Sequence, residues 1–365
     1  MRRSIWRNFD GWLLLIPVFL TIFGVMMIYS ATLGSESLAD AWRKQAIYGL
    51  IGVVFFLLTA TINYRLLENF LWPLYGLTIV ILLFTLAFGT SEIGNVRRFI
   101  FIGGVSIQPA FPALILLIIT QAALLARRDP LPPTQVDFLL SLVLTGVAAF
   151  LVFRQPNLST ATLYMATWLA MTFASGVSLL YFGGMVMAAA MAAPLIWVNL
   201  QGYMKQRILN FLNPEQTNPG DNYNLIQALI SIGSGGLWGK GWASGSQSQL
   251  HFLRVRHTDF IFSVVCEEWG FVGAMALLAV YAFLLWRMIR IAVHAGDMTG
   301  RLITVGIILY VFYQLVINLG MNLNLIPVAG LPLPFVSSGG SSLVIAYIGL
   351  GLVESVAMYR ERIEL

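Results

Sequence analysis

The chain has 365 residues, of which 58% are hydrophobic and only 10% are charged, and its mean hydropathy is +0.82. Its repeated apolar runs of about 18 residues or more match the length that crosses about 30 Å of hydrocarbon, which excludes a soluble globular domain. The net charge of +5 suits membrane topology and anionic lipids better than nucleic acid, and one cysteine excludes an intrachain disulfide.

Ten apolar segments predict an all-α integral membrane protein with ten transmembrane helices. We expect residues 1–365 to form a single polytopic membrane domain, in which residues 201–259 form a large extracellular loop between helices seven and eight. Lys and Arg are concentrated in the short connections on the side of both termini, which predicts that both termini are cytoplasmic. The ten predicted spans are residues 11–31, 45–62, 70–88, 109–126, 136–153, 158–175, 178–200, 260–286, 303–323 and 340–359.

The first external loop, residues 89–108, reads TSEIGNVRRFIFIGGVSIQP and is too apolar for a solvated linker. It carries two adjacent arginines, Arg97 and Arg98. They either contact lipid headgroups or belong to a site for an anionic group, for which Arg98 is the candidate.

The long loop, residues 201–259, begins with the basic amphipathic stretch YMKQRILNFLNP, which contains Lys205 and Arg207. Its middle, NLIQALISIGSGGLWGKG, predicts a short interfacial helix that ends in glycines. The cytoplasmic loops are too short for a nucleotide-binding domain, and no Walker-type motif occurs, so ATP-driven transport is not expected.

Asp259 stands at the junction between the long loop and the eighth span, just after Arg254, Arg256 and His257. Positive side chains beside one carboxylate suit a site that handles a phosphorylated substrate. Alternatively, Thr258 or Asp259 caps the helix that follows, because both residue types accept hydrogen bonds from the first helical N–H groups. The sequence leaves both roles open.

Glu267 and Glu268 lie two turns further into the same span, where an ionised side chain must face a polar partner or the bundle interior. Adjacent helical residues point about 100° apart, so at most one of the two shares a face with Asp259. Glu267 is therefore the candidate for a cavity wall and for substrate binding. Glu268 is interpreted as a brace between helices.

The connection before the last span, NLNLIPVAGLPLPFVSSG, contains three prolines between apolar residues and cannot be regular helix. Irregular backbone at membrane depth requires protein or a water-filled cavity to satisfy its polar groups, so we infer a cavity that opens to the outside. The following VSSGGSS leaves backbone N–H groups free at a helix start, which suits a pyrophosphate, although capping and close helix packing explain it equally. Its candidate binding residues are Ser337, Ser338, Gly339, Gly340 and Ser341.

Three long stretches resemble one protein family. They are the segment from YMKQRILNFLNP to RVRHTDFIFSVVCEEWGFVG, the segment IPVAGLPLPFVSSGGSSLVIAYIGLGL and the first external loop RRFIFIGGVSIQP. The chain resembles the SEDS proteins (shape, elongation, division, sporulation), and within them the RodA type. The resemblance implies a peptidoglycan glycosyltransferase in the bacterial cytoplasmic membrane that uses lipid II for cell-wall elongation and cell shape.

The resemblance also implies roles for individual residues. Asp259 follows a His-Thr pair and would take the proton from the acceptor sugar's hydroxyl in an inverting transfer. Positive charge would stabilise the departing pyrophosphate, with a divalent cation such as Mg²⁺ or Mn²⁺ as a possible contributor. A class B penicillin-binding protein and other elongation or division proteins are the expected partners. The candidate substrate-binding residues are Arg98, Lys205, Arg207, Lys240, Arg256, His257 and Glu267, together with Ser337, Ser338, Gly339, Gly340 and Ser341.

The sequence departs from the family pattern at three positions inside the predicted membrane region. Phe111 and Leu114 stand where the family pattern has Glu and Lys, and Asn157 stands where it has Asp. Removing a buried charged set jointly costs less than removing one member, which would leave an unpaired charge. These replacements motivate one alternative, a catalytically degenerate scaffold for a transpeptidase. The other alternative is a lipid-linked precursor transporter, which would need polar groups along its whole path.

Overall fold

The structure is a computed structural model that describes residues 6–90, 98–102, 105–129, 131–199, 202–212, 223–250, 252–253 and 255–360. Helices dominate these ranges, as predicted. The longer helices are α1 (Gly11–Thr32), α2 (Ala41–Thr61), α3 (Leu71–Phe88), α4 (Ala110–Leu125), α5 (Gln135–Arg154), α6 (Leu158–Ala174), α7 (Leu179–Asn199), α8 (Gly202–Leu212), α9 (Tyr223–Ser234), α10 (Ile261–Val293), α11 (Met298–Asn322) and α12 (Gly340–Tyr359). Short helical turns occupy Trp6–Asn8, Glu36–Leu38, Arg65–Glu68 and Ser246–Gln249.

Seven helices in the described ranges are long and apolar enough to cross a membrane: α1, α2, α3, α5, α10, α11 and α12. Helix α4 is apolar but shorter, with 16 residues. The prediction of an all-helical, multi-pass membrane protein is confirmed. The number of ten spans and the single-domain organisation stay predictions.

The connection between α3 and α4, which the sequence analysis predicted to be external, contains a β-hairpin that the sequence reasoning missed. Strands β1 (Ile100–Ile102) and β2 (Val105–Ile107) pair antiparallel, with Ile100 opposite Ile107. The signal was present, because β-branched and aromatic residues flank a Gly-Gly pair in FIFIGGVSI.

Small residues allow the helices of the bundle to approach closely. A Cβ atom added to Gly351 of α12 would lie 1.9 Å from Thr59 Oγ1 and 2.6 Å from the Phe56 carbonyl oxygen of α2. A Cβ atom on Gly52 of α2 would lie 2.4 Å from the Tyr347 ring of α12. Glycine at these positions therefore permits backbone contact between the two helices, as in other membrane helix pairs.

Residues 323–339 are non-helical, as the three prolines predict, and they pack into the bundle. A Cβ atom on Gly24, in the middle of α1, would lie 2.5 Å from the Val336 carbonyl oxygen. The Tyr281 hydroxyl of α10 donates a hydrogen bond to the Pro334 carbonyl. Phe335 adopts a φ of +66° and its buried ring packs edge-on against Tyr347. Protein groups thus satisfy the irregular backbone, as the membrane environment requires.

Helix α10 is not continuous, which corrects the prediction of a regular eighth span. Gly270 has φ +66° and ψ −166°, so the helix consists of two parts that meet there. Residues 235–241, which we call the glycine segment, lie against the break. The N–H groups of Lys240 and Gly241 donate to the Glu267 and Glu268 carbonyls, each at 3.0 Å.

The second part of α10 is held from the same segment. The N–H groups of Phe271 and Val272 donate to the carbonyls of Gly236 and Leu237 at 2.9 and 3.1 Å. The glycine segment therefore supplies partners to the backbone groups that the break leaves open. It also fixes the position of the first part of α10, Ile261–Trp269.

Candidate active site

Asp259 lies in the turn that leads into α10. The N-cap of α10 is Phe260, and no side chain caps the helix start. The alternative in which Thr258 or Asp259 caps this helix is therefore wrong. The Thr258 hydroxyl instead donates to the Val255 carbonyl at 3.3 Å.

Two asparagines of α11 hold the backbone of this turn. The side-chain amides of Asn318 and Asn322 each donate to the Asp259 carbonyl at 3.0 Å. Asn318 also donates to the Leu331 carbonyl at 2.8 Å, and Ser263 Oγ donates to Asn322 Oδ1 at 2.6 Å. The position of Asp259 is thus coupled to α11, to the start of α10 and to the proline-rich connection.

Ser337 and Ser338 hold the same turn from the other side. Ser337 Oγ donates to the Thr258 carbonyl at 2.6 Å and accepts from the Leu333 N–H at 2.9 Å. The Ser338 N–H donates to the His257 carbonyl at 2.9 Å. Ser337 is buried, so it holds the turn that carries Asp259, which corrects its interpretation as part of an open anion site.

The Asp259 side chain is partly buried and makes no hydrogen bond to any residue that the structure describes. Its Oδ2 lies 3.7 Å from the point where a Cβ atom on Gly330 would stand. Burial raises the pKa of Asp259 from 3.8 to about 6, and the nearby positive charges of Arg207 and Arg98 oppose that rise. A carboxylate of this pKa is ionised near neutral pH yet basic enough to accept a proton.

A cavity of about 310 Å³ lies beside these arginines, and we call it the arginine groove. Arg98 and Arg207 line it together with Asn157 and Tyr313, and the Arg207 guanidinium donates to the Val328 carbonyl at 3.3 Å. The remaining wall is largely apolar and includes Leu158, Ile208, Ile317, Ile326 and Val328. Two arginines in a largely apolar lining suit an amphipathic anion.

Three cations predicted to bind substrate lie elsewhere. The Lys205 ammonium donates to the Val198 carbonyl at 3.1 Å. Arg256 is buried, and its guanidinium donates to the Ala31 carbonyl and, at 3.1 Å, to the Leu253 carbonyl. Lys240 pairs with Glu267 at 2.8 Å. Each of these charged groups donates to a protein acceptor, and none of the three residues lines the arginine groove.

Glu267 also differs from its interpretation as part of a cavity wall. Its side chain is fully buried and, besides Lys240, accepts hydrogen bonds from the N–H groups of Gln247 and Ser248 at 2.9 and 3.4 Å. It therefore holds the start of the short helix Ser246–Gln249. The interpretation of Glu268 as a brace agrees with the structure, since it is buried and accepts from Ser30 of α1.

The remaining predicted residues divide between packing and surface. Gly340 packs against Tyr48, because a Cβ atom there would lie 2.5 Å from the ring. Ser341 Oγ accepts from the Gln108 N–H at 3.2 Å. Gly339 is the N-cap residue of α12, and its N–H donates to Gln45 Oε1 at 3.4 Å. His257 is half-buried, and burial together with the Arg256 charge lowers its pKa.

Sequence reasoning missed Asn318 and Asn322, although a signal was present. The two residues are four apart on α11, so they share one face, and both are buried in an otherwise apolar helix. Uncharged polar residues in a membrane helix face the bundle interior and find partners there. That spacing alone would have marked the face of α11 that meets the catalytic turn.

The three positions that depart from the family pattern are buried in the structure. Phe111 packs edge-on against Tyr310, with ring centroids 6.2 Å apart, and Leu114 belongs to the same apolar core. Asn157 is 4% exposed; its Oδ1 accepts from the Thr160 N–H at 3.3 Å, and the residue lines the arginine groove. The replacements therefore close the interior with apolar groups while Asn157 keeps a polar role.

Within the described ranges, no group of three or more Asp, Glu, His or Cys side chains could hold a metal ion. The charges that act on the Asp259 carboxylate are those of two arginines, Arg207 and Arg98, which repel a cation. The residues described do not fit a protein-held divalent cation, and no step below depends on one.

The fold and the site define a helical, multi-pass membrane protein with a partly buried carboxylate, Asp259, under the influence of two arginines that line a largely apolar cavity. The family of cell cycle proteins that includes FtsW, RodA and SpoVE matches residues 11–362. The chain is 37% identical over 363 residues to the peptidoglycan glycosyltransferase MrdB of Escherichia coli K12, an alignment that covers 99% of this chain and 97% of MrdB. The chain belongs to the FtsW/RodA/SpoVE family.

Other relatives and solved structures agree with this assignment. The stage V sporulation protein E of Bacillus subtilis is 31% identical, with 96% of this chain and 97% of that protein covered. The rod shape determining protein RodA of Thermus thermophilus superposes with a TM-score of 0.72 at 28% identity, covering 98% of this chain and 99% of that chain. A chain from a peptidoglycan synthase complex, studied for its coordination of polymerization and crosslinking, superposes with a TM-score of 0.83 at 30% identity and coverage of 96% and 98%.

Proposed function

We propose that the chain is a peptidoglycan glycosyltransferase that polymerises lipid II for the bacterial cell wall, with a role in cell shape. The names of the similar proteins give this activity: MrdB of E. coli and the probable FtsW of Trichlorobacter lovleyi, 32% identical over 96% of this chain and 93% of that protein, are both peptidoglycan glycosyltransferases. The observation that carries the proposal is the partly exposed Asp259 carboxylate beside Arg98 and Arg207.

In the proposed reaction, Asp259 accepts the proton of the acceptor sugar's 4-hydroxyl, whose oxygen attacks the anomeric carbon of the donor. The bond between that carbon and the pyrophosphate oxygen breaks, the configuration inverts, and undecaprenyl pyrophosphate leaves with the bonding electron pair. Asn318, Asn322 and Ser337 hold the backbone carbonyls of Asp259 and Thr258, and the fixed turn would reduce the reorganisation that the transition state requires.

The arginine groove suits the donor's leaving group. Arg98 and Arg207 would neutralise the charge that develops on the pyrophosphate, and the apolar wall would accept the first isoprene units. Mg²⁺ or Mn²⁺ carried on the pyrophosphate itself stays a separate proposal, which addition of EDTA to the polymerisation assay tests.

The decisive experiment is lipid II polymerisation by the purified protein and its Asp259→Asn variant. We expect Asp259→Asn to lower the rate by at least about 10²-fold, because an amide cannot accept the proton. Asp129→Asn is the matched control, since Asp129 is exposed and accepts a hydrogen bond from the Met298 N–H that an amide oxygen also accepts. Normal polymer from Asp259→Asn would refute the assigned role.

We further propose that a class B penicillin-binding protein is the partner and that other elongation or division proteins join the assembly. The similarity to a chain of a synthase complex that coordinates polymerization and crosslinking supports this. We place the chain in the cytoplasmic membrane with ten spans, both termini cytoplasmic and residues 201–259 extracellular.

Both alternatives remain testable in the same preparation. Translocation of lipid II in liposomes without polymer would favour a transporter. A scaffold without turnover would yield no polymer even with the partner present, and restoring Glu, Lys and Asp at Phe111, Leu114 and Asn157 would then be expected to raise activity. The hydrogen bonds from Asn318, Asn322 and Ser337 to the Asp259 turn favour a fixed catalytic site over a transport path.

A further inference from the structure

Three aromatic side chains form a continuous row on the outside of the bundle, where α1 begins and α10 approaches its end. Trp12 of α1 packs edge-on against Phe283 of α10, with ring centroids 5.5 Å apart. Phe283 in turn stacks on Trp286, with centroids 5.6 Å apart and planes at 24°. The three side chains, which we call the aromatic row, are 51%, 36% and 46% exposed. Exposed tryptophans of membrane helices are typical of the interface between hydrocarbon and headgroups.

Two arginines contact the last ring of the aromatic row. The guanidinium carbon atoms of Arg287 and Arg290 lie 5.8 and 5.1 Å from the centre of the Trp286 ring, within the range of a cation–π contact. Arg290 lies in the last turn of α10, which ends at Val293, whereas Phe283 lies two turns earlier. The positive charge is therefore near the end of the helix, and the apolar rings extend about 10 Å back along the span.

The two arginines differ in their partners. Arg287 is partly buried and pairs with the Asp10 carboxylate. Arg290 is exposed, and no Asp or Glu among the residues that the structure describes forms an ion pair with it. The charge of Arg287 is thus compensated inside the protein, while the charge of Arg290 is available beside the aromatic row. A ligand that lies on the row would meet one uncompensated positive charge at its end.

Hydrogen bonds fix the protein groups behind the aromatic row. The Asp10 N–H donates to Glu354 Oε1 of α12 at 2.7 Å, and the Asp10 carboxylate caps α1 by accepting from the Trp12 N–H at 3.2 Å. Asp10 therefore joins α12, α1 and, through Arg287, α10. Because these contacts order the start of α1 and the end of α10 in advance, a ligand would bind there with little loss of protein freedom.

The arrangement of rings and charge fits an amphipathic anion. Ring faces along two helical turns can pack against an acyl chain, and a guanidinium group at headgroup level binds a phosphate. An apolar transmembrane helix of a partner would cover the rings but would offer Arg290 no anion. A free phosphate ion would pair with Arg290 but would leave the rings uncovered. Basic sites at the ends of membrane helices are known to bind anionic lipid headgroups, so a phospholipid satisfies both parts of the surface.

We propose that the aromatic row and Arg290 bind one anionic phospholipid, with its phosphate at the Arg290 guanidinium and one acyl chain along the row. The lipid would join α1 and α10 on their outer side. Asp259 lies just before the start of α10 and Arg290 lies near its end, so this site is separate from the arginine groove. The inference requires only that the chain spans a membrane, and it does not depend on the proposed enzymatic function.

The first test titrates phosphatidylglycerol onto the full-length, detergent-solubilised protein and measures the Kd of the first bound lipid by native mass spectrometry. We expect Arg290→Gln to weaken this binding about fivefold, because each arginine near the headgroups contributes about that factor. Arg290→Lys keeps the charge and is expected to retain most of the affinity. Arg301→Gln is the matched control, since Arg301 is also exposed and lies in the first turn of α11, directly after the connection from α10. We expect it to bind like the parent.

The second test examines the rings and the choice of lipid. Trp286→Leu is expected to weaken phosphatidylglycerol binding two- to fivefold through loss of the cation–π contact. The parent should prefer phosphatidylglycerol to zwitterionic phosphatidylcholine, and Arg290→Gln should lose that preference. Unfolding midpoints without lipid, expected to be equal, show that the variants are folded.

Four results would overturn the proposal. Arg290→Gln could bind phosphatidylglycerol as tightly as the parent, or Arg301→Gln could lose as much affinity, which would indicate attraction to any exposed arginine. Loss of the first bound lipid in Arg207→Gln instead would place that lipid in the arginine groove. Displacement of the lipid by an equal concentration of glycerol phosphate would indicate a site for a free phosphate group.

Discussion

At the scale of single residues, Asp259 must be both buried and ionised, and burial disfavours the ionised form of a carboxyl group. Burial raises the pKa of Asp259 to about 6, so the carboxylate is ionised at neutral pH at a cost to the folded state. The arginines Arg207 and Arg98 limit that cost without pairing the carboxylate away from a substrate. The proposed base is therefore also a site of reduced stability, as functional sites often are.

The pH dependence of activity follows from the pKa of Asp259. Only the carboxylate accepts a proton, so the initial rate of polymerisation is expected to rise with pH, to reach half its maximum near pH 6 and to level off above it. Arg207 lowers the pKa of Asp259 more than Arg98 does. Replacing Arg207 with Gln is therefore expected to move the midpoint of the pH–rate profile to higher pH. A profile that is flat between pH 5 and 8, measured as initial rate at saturating lipid II, would contradict the assignment.

Stability is expected to depend on pH in the opposite direction. The folded-state pKa lies above the ordinary value of 3.8, so the contribution to stability is complete below that value and is lost as pH rises through about 6. Asp259→Asn, which cannot ionise, should gain stability over the parent at pH 8 by at most about 3 kcal/mol, and little at pH 4. Thermal unfolding of the detergent-solubilised protein at both pH values measures this.

At the scale of elements, the break in α10 limits the helix that follows the Asp259 turn to a short piece. The first part of α10, Ile261–Trp269, carries Asp259 just before its start and Glu267 near its end. Because the Lys240–Glu267 pair and the glycine segment fix that end, the short helical piece cannot slide or turn independently. We infer that these contacts with the long loop restrict the motion of the short helix and, through it, of Asp259.

The Lys240–Glu267 pair is expected to behave as a buried ion pair. Lys240→Met leaves the fully buried Glu267 without its cation and should destabilise the protein by about 3 kcal/mol, whereas Lys240→Met with Glu267→Gln should recover much of that loss. Unfolding midpoints of the single and double variants measure the coupling. Arg43→Met, which disrupts the exposed Arg43–Asp40 pair, is the control and should cost little. Additive effects of the two changes would rule out that coupling.

These elements also show what the sequence can and cannot predict. The apolar runs predicted the helices and the prolines predicted the non-helical connection, because both signals are local. The role of Asp259, which the resemblance implies through the His-Thr-Asp pattern, stays a prediction. The pairing of Lys240 with Glu267 and the hold of Asn318 on Asp259 join residues that are 27 and 59 positions apart. Such contacts depend on how helices pack. The resemblance suggested substrate contacts for Lys240 and Arg256, and helix geometry suggested one for Glu267, whereas all three have protein partners in the structure.

At the scale of the whole molecule, the contacts between connections group them into two ends. Tyr64 of the α2–α3 connection donates to Asp297 of the α10–α11 connection at 2.7 Å, and Asp129 of the α4–α5 connection accepts from the Met298 N–H at 3.1 Å. The sequence assigns these three connections to the cytoplasm. At the opposite end, the Gln108 N–H donates to Ser341 at 3.2 Å. The up-and-down arrangement is thus internally consistent.

The orientation of the two ends can be measured because the sequence has one cysteine, Cys266, and it is 5% exposed. The parent protein should therefore resist a membrane-impermeant maleimide in intact cells. Ala39→Cys, at an exposed position between α1 and α2, should be labelled from outside. Leu131→Cys, 68% exposed between α4 and α5, should be labelled only after permeabilisation. The positive side chains Arg127 and Arg128 beside Leu131 favour the cytoplasmic side. The reverse labelling pattern would place Asp259 and the arginine groove on the cytoplasmic face. Polymerisation of a lipid-linked sugar at the outer face, as proposed, could not occur there.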